Sequence, residues 1–140
     1  MTISSINGFQ FKAIPTFRIL SYQTAVKFYV GFLGFNIDWE HRFKPTDPVY
    51  MQVSYHGLIL HLSELKKFDT NAIVFVETNN LHAFHHELKQ RNVESTIQDI
   101  ELTTWQTMQL EIEDPFGNLL RFNENVIDED TTLPQSIINE

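Results

Sequence analysis

Residues 58–64 read LILHLSE, an imidazole set inside a run of leucine and isoleucine. In an extended chain the side chains alternate, so Leu58, Leu60 and Leu62 share one face and Ile59, His61 and Ser63 the other. The first face is pure core. The second carries two polar groups, and three readings of His61 stand open: a metal ligand, a pocket residue, or a histidine satisfied within the core. The segment HAFHHE places His82 and His86 at i, i+4, a spacing that holds zinc in helices carrying HExxH. Here the glutamate is misplaced and both histidines lie off the apolar stripe, so a solvated face is the expected role. Glu111 and Glu113 share a strand face, as an acid/base pair would, or as the wet side opposite Met108, Leu110 and Ile112. Arg121, on a face with Leu119 and opposite Leu120 and Phe122, must be ion-paired, with Glu111 or Glu113 as candidates, or meet an anionic group. Trp39 lies among large residues, and Trp105 stands in the polar loop LTTWQT. Both are read either as packing or as ligand platforms.

These groups need elements to hold them. The segment AIPTFRIL (13–20) suits a strand entered near Pro15. Ala25, Phe28, Tyr29, Phe32 and Leu33 then fall at i, i+3, i+4, i+7 and i+8, the stripe of an amphipathic helix that Gly34 ends. Together with Tyr22, these aromatics read as core and interface. In FNIDWEHRF, Phe35, Ile37, Trp39, His41 and Phe43 alternate with Asn36, Asp38, Glu40 and Arg42, the period of a strand. The segments VYMQVS and LILHLS, joined at His56-Gly57, make a hairpin. The order then recurs: NAIVFVE as a strand, a helix with Leu81, Phe84 and Leu88 inward and Asn79 or Asn80 as its cap, then strands near 95–101, 106–113 and 119–123. Between the last two, DPFGN has the residue preferences of a type I turn.

A chain of 140 residues with 42% apolar content is the size of one domain with a real core. No run approaches the roughly 20 apolar residues of a membrane helix, and MTISSINGFQ has no secretory pattern, so a cytoplasmic location is expected. The absence of cysteine removes disulfides, thiolate zinc sites and cysteine nucleophiles. Five acids with no Lys or Arg lie in residues 124–140, so the formal charge of -8 leaves -3 for residues 1–123. Nothing there attracts nucleic acid. There is no Gly-rich phosphate loop and no nucleophile elbow.

Two βαβββ modules, AIP opening the first strand, FYVGFLGF closing the first helix, and TW followed by DPFGNLLRF together resemble the glyoxalase/bleomycin-resistance/dioxygenase (vicinal oxygen chelate) superfamily, nearest its bleomycin-resistance-like branch. The resemblance implies an α+β fold of two tandem modules whose half-barrel sheets form crevices completed by homodimerisation. On that reading residues 1–12 form an N-terminal arm, 13–123 the domain (modules about 13–64 and 71–123), and 124–140 an acidic tail. Enzymes of the superfamily hold a divalent metal. The positions here that match its ligands are Pro15, His61, Ala72 and Arg121, one possible ligand among four, so no metal, cofactor or catalytic residue is expected. The function implied is antibiotic resistance by sequestration, a non-catalytic protein holding a bleomycin-type or other small aromatic molecule in a dimer-interface crevice. Its rival is a superfamily enzyme, lyase or dioxygenase, with unconventional or no metal ligation. By position Trp39, His61, Ser63 and Trp105 fall where the branch lines its crevice, and strand parity adds Phe43, Tyr50, Gln52 and Arg121. Where the branch commonly has glycine after the tryptophan, this chain has Gln106.

Overall fold

A computed structural model describes residues 8–65, 71–91 and 97–126. The first module contains β1 (Thr16–Arg18), α1 (Tyr22–Val26), β2 (Asn36–His41), β3 (Tyr50–Tyr55) and β4 (Leu58–Ser63). The second contains β5 (Ile73–Glu77), α2 (Leu81–Arg91), β6 (Glu101–Leu102), β7 (Thr107–Glu113) and β8 (Leu119–Asn125). Each module folds its four strands into one mixed sheet, ordered β1-β4-β3-β2 and β5-β8-β7-β6. In both, the first strand lies parallel to the last and the remaining pairs are antiparallel. No helix among the described residues is long and apolar enough to cross a membrane.

The βαβββ order therefore occurs twice, as the hydrophobic periods require. Three local expectations are corrected. The first helix begins at the Ser21 cap, whose hydroxyl accepts from the Thr24 N–H, but widens after Val26 into a π-helical stretch, Lys27–Phe32. Its i, i+4 residues Ala25, Tyr29 and Leu33 still all point to the core. The strand expected at 95–101 is only the pair Glu101–Leu102, with residues 92–96 outside the described set. At the other end β8 runs to Asn125, beyond the strand end expected at 123.

One core serves both modules. Phe17, Tyr29, Leu33, Phe35, Met51, Leu60 and Leu62 of the first join Leu81, Leu88, Leu110, Leu120 and Phe122 of the second in a single buried cluster. The link is also polar. The Tyr29 hydroxyl donates to Asp114 Oδ2 at 2.7 Å inside the protein. Asp114 opens the DPFGN turn, where the Gly117 N–H bonds the Asp114 carbonyl and Asp114 Oδ1 accepts from the N–H groups of Phe116 and Asn118. A carboxylate thus organises its own turn and the neighbouring module's helix at once.

Candidate functional site

Alternation about buried Phe17, Met51, Val53, Leu60 and Leu62 sends Thr16 and Arg18 of β1, Tyr50, Gln52 and Ser54 of β3 and Ile59, His61 and Ser63 of β4 to the opposite face of the first sheet. The edge strand β2 adds more than strict alternation allows. Its pairing with β3 slips between Ile37 and Trp39, a bulge. Trp39 therefore sits opposite Gln52, while Asp38 still reaches the Gln52 and Ser54 side chains on the same face. The sequence period had put Asp38 and Trp39 back to back.

The result is an aromatic platform. The Trp39 indole, 42% exposed, stacks on Tyr50 with ring centroids 6.2 Å apart and planes at 14°. His61 meets both rings edge-on, at 5.3 Å from Trp39 and 5.2 Å from Tyr50. Phe43, beyond the end of β2, is 85% exposed and its ring lies against His41.

A hydrogen-bond chain runs beneath these rings, and chemistry fixes its direction. The Asp38 carboxylate only accepts, taking a hydrogen bond from Gln52 Nε2 at 3.0 Å and one from the Ser54 hydroxyl at 2.9 Å. Gln52 must therefore present Oε1 to His61 Nε2, 3.0 Å away, so that nitrogen carries the proton. In that Nε2–H tautomer Nδ1 is the acceptor, and the Tyr50 hydroxyl donates to it at 2.9 Å. With its one proton committed, the Tyr50 oxygen receives the more distant Thr16 hydroxyl at 3.4 Å. His61 thus lies on the aromatic face with both nitrogens hydrogen-bonded.

The metal implied by the superfamily does not fit these residues. Pro15 and Ala72 offer no ligating side chain, Arg121 is a cation, and both His61 nitrogens are engaged. Among the described residues no three His, Asp or Glu side chains converge.

The corresponding face of the second sheet is polar. Arg121 Nε donates to Glu111 Oε2 at 2.7 Å from the directly opposite strand position, so of its two expected states it takes the ion-paired one. Next to it Asn123 bridges Gln109 and Thr107, and Thr107 continues to Thr103. Trp105 projects from the loop between β6 and β7, 57% exposed and with no ring partner among the described residues. The following residue, Gln106, has φ +67°, a conformation that favours glycine. Ser63 is fully buried and its hydroxyl accepts from the Leu65 N–H, so in the single chain it supports the platform and does not line it.

One chain thus brings together Trp39, Tyr50, Gln52 and His61, with Ser63 beneath, and leaves Phe43, Trp105 and Arg121 apart from that contact network. Asp38 and Thr16 were not singled out from the sequence; their signal was adjacency to Trp39 and Pro15. An open cleft at the far end of β5 and β8, lined by Glu77, Thr78, Asn79, Asn123, Glu124 and Asn125, is separate. Its Glu124 carboxylate is occupied by the N–H groups of Asn80 and Leu81 at the start of α2.

No curated protein matches the sequence. Among solved structures, a bleomycin resistance determinant encoded on the transposon Tn5 is similar with a TM-score of 0.69 and 21% identity over 84% of this chain and 100% of that one. A bleomycin-binding protein crystallised with bleomycin gives 0.67 and 21% over 83% and 99%. A glyoxalase-related enzyme from Clostridium phytofermentans gives 0.65 and 18% over 85% and 98%. At such identities the likeness is one of fold. The family model described as "Glyoxalase superfamily protein" matches residues 2–129, nearly the whole chain, and with the twice-repeated βαβββ sheet it establishes that this protein belongs to the glyoxalase superfamily.

Proposed function

We propose that the protein is a non-catalytic binder of a small aromatic molecule, held against the Trp39–Tyr50–His61 face of the first sheet. The observation that carries this is the exposed Trp39 ring on a platform whose polar atoms are already internally satisfied. A flat ligand can stack there without displacing a protein hydrogen bond. Gln52 and Ser63 set the floor, and Phe43, Trp105 and Arg121 belong to the walls. The likeness to bleomycin-binding proteins supports a bleomycin-type antibiotic as one candidate, with resistance by sequestration in the cytoplasm as the consequence.

The sheet face is open in one chain, so a second copy completes the crevice in this reading. Support comes from Ile73 and Phe75, 59% and 52% exposed on edge strand β5, an apolar edge that a monomer would normally cover. Residues 8–12, which lead into Pro15, are exposed and can reach a partner in this reading, and the rest of the expected arm, residues 1–7, lies outside the described residues.

The rival, a metal-free enzyme of the superfamily, is favoured by the direct Tyr50–His61 hydrogen bond, which joins two groups able to exchange a proton. One experiment separates the two. Metal content is measured first, and the protein is then titrated with metal-free and copper-loaded bleomycin while tryptophan emission is followed. Saturable quenching, lost in Trp39→Ala, with the bleomycin recovered unaltered, supports sequestration. Chemical alteration of the bound compound, or about one metal per chain lost in His61→Ala, overturns it.

A further inference from the structure

The chain has four arginines, and three of them are ion-paired: Arg42 with Glu40, Arg91 with Glu87, Arg121 with Glu111. Arg18 is the exception. Among the described residues its Nε is buried without any acceptor, and its only side-chain hydrogen bond is a long one, 3.5 Å from Nη2 to Asn71 Oδ1. A half-buried guanidinium with no carboxylate partner among the described residues is costly, so the position invites an anionic occupant.

The position is also held in place. The Asn118 side-chain amide donates to the Arg18 carbonyl at 2.9 Å and to Asp114 Oδ2, while its oxygen accepts from the Ala72 N–H. Asn71 packs over Gly117, where a Cβ would come within 2.5 Å of the Asn71 amide nitrogen. The DPFGN turn of the second module thus clamps Arg18 through both backbone and head group. By register Arg18 lies beside Ser63, and Ser63 lies beside Tyr50, so the guanidinium is on the aromatic face, two strands from Tyr50 and three from Trp39.

We infer that Arg18 is the anion receptor of the crevice, and that the ligand class is a planar aromatic acid whose ring stacks at Trp39 and Tyr50 while its carboxylate, sulfonate or phosphate meets the guanidinium fork. The inference rests on the aromatic binding face proposed above and narrows its ligand, turning it away from purely cationic compounds. The planar, permanently charged fork matches a planar anion with paired hydrogen bonds, which an ammonium cannot do.

The test uses the full chain and two probes of one shape, 2-naphthoate and 2-naphthamide, titrated calorimetrically. The parent should bind the naphthoate about 10-fold more tightly than the amide, a difference of about 1.4 kcal/mol. Arg18→Gln should bind both with the amide's affinity, and Arg18→Lys should keep part of the ratio. Trp39→Ala should weaken both probes and leave the ratio intact, so the ratio reports on Arg18 and the absolute affinity on the aromatic face. A ratio unchanged in Arg18→Gln overturns the inference. So does a looser dimer in that variant with the ratio unchanged, which assigns the guanidinium to the subunit contact. If neither naphthyl probe binds, or the variants do not fold, the parent is titrated with sulfate at constant ionic strength. A saturable shift of the Arg18 Nε–H resonance then upholds the receptor, and its absence overturns it.

Discussion

Tyr29→Phe isolates the polar link between the modules. The Tyr29 ring is fully buried, with Phe17, Phe28 and Phe35 around it at centroid distances of 6.5, 5.1 and 5.8 Å, and phenylalanine preserves that packing. What is lost is the 2.7 Å bond to Asp114, and hydrogen bonds to charged groups are worth about 1.5–3 kcal/mol, so a loss of about 2 kcal/mol is expected at pH 7. The pH dependence gives the prediction its second edge. Burial first, then the charge and hydrogen bond of Asp114, push the Tyr29 hydroxyl far above its ordinary value of 10.0. A group whose folded pKa is raised contributes stability that is complete below its unfolded pKa and declines as pH rises past it, so Tyr29 weighs against the native state above pH 10. One pH unit beyond that point costs the parent about 1.4 kcal/mol that the variant escapes. Urea unfolding at fixed protein concentration should therefore show the gap between parent and Tyr29→Phe shrinking from about 2 kcal/mol at pH 7 to roughly 0.6 kcal/mol near pH 11. A gap below 0.5 kcal/mol at pH 7, or one that does not narrow, would refute the reasoning.

Trp39→Ala should weaken aromatic ligands tenfold or more while moving the melting temperature little, because the indole is 42% exposed; the same is expected of Trp105→Ala at 57%. A large drop in melting temperature with unchanged affinity would return either residue to a packing role. Asp38→Asn removes the acceptor-only group that orients Gln52, so the nitrogen-15 shifts of His61 should report a mixture of ring tautomers in place of the Nε2-protonated form; an unaltered spectrum would show that Asp38 does not set the direction. Glu124→Ala strips the carboxylate from the first N–H groups of α2 and should cost about 1 kcal/mol in urea unfolding, with no loss counting against the capping role. Gln106→Gly relieves a φ of +67° and should raise stability by up to about 1 kcal/mol, whereas a loss would mean that the glutamine side chain is needed.

Local periods in the sequence determined the two βαβββ modules, the core faces of Leu60/Leu62 and Leu120/Phe122, the His56-Gly57 turn with both residues at positive φ, and the Asp114–Gly117 turn. These follow from alternation, helical spacing and turn chemistry, which act over a few residues. The tertiary structure decided what alternation cannot carry. The β2 bulge is a mismatch between two strands, invisible in either one, and it put Asp38 beside Trp39. The α2 cap came from Glu124, more than forty residues away, and not from Asn79 or Asn80, because Asn80 itself adopts φ +52° and its N–H needs an acceptor. Arg18 shows the division most plainly. Its place on the face opposite Phe17 was legible in AIPTFRIL, but that its Nε meets no acceptor among the described residues is a property of three-dimensional neighbours.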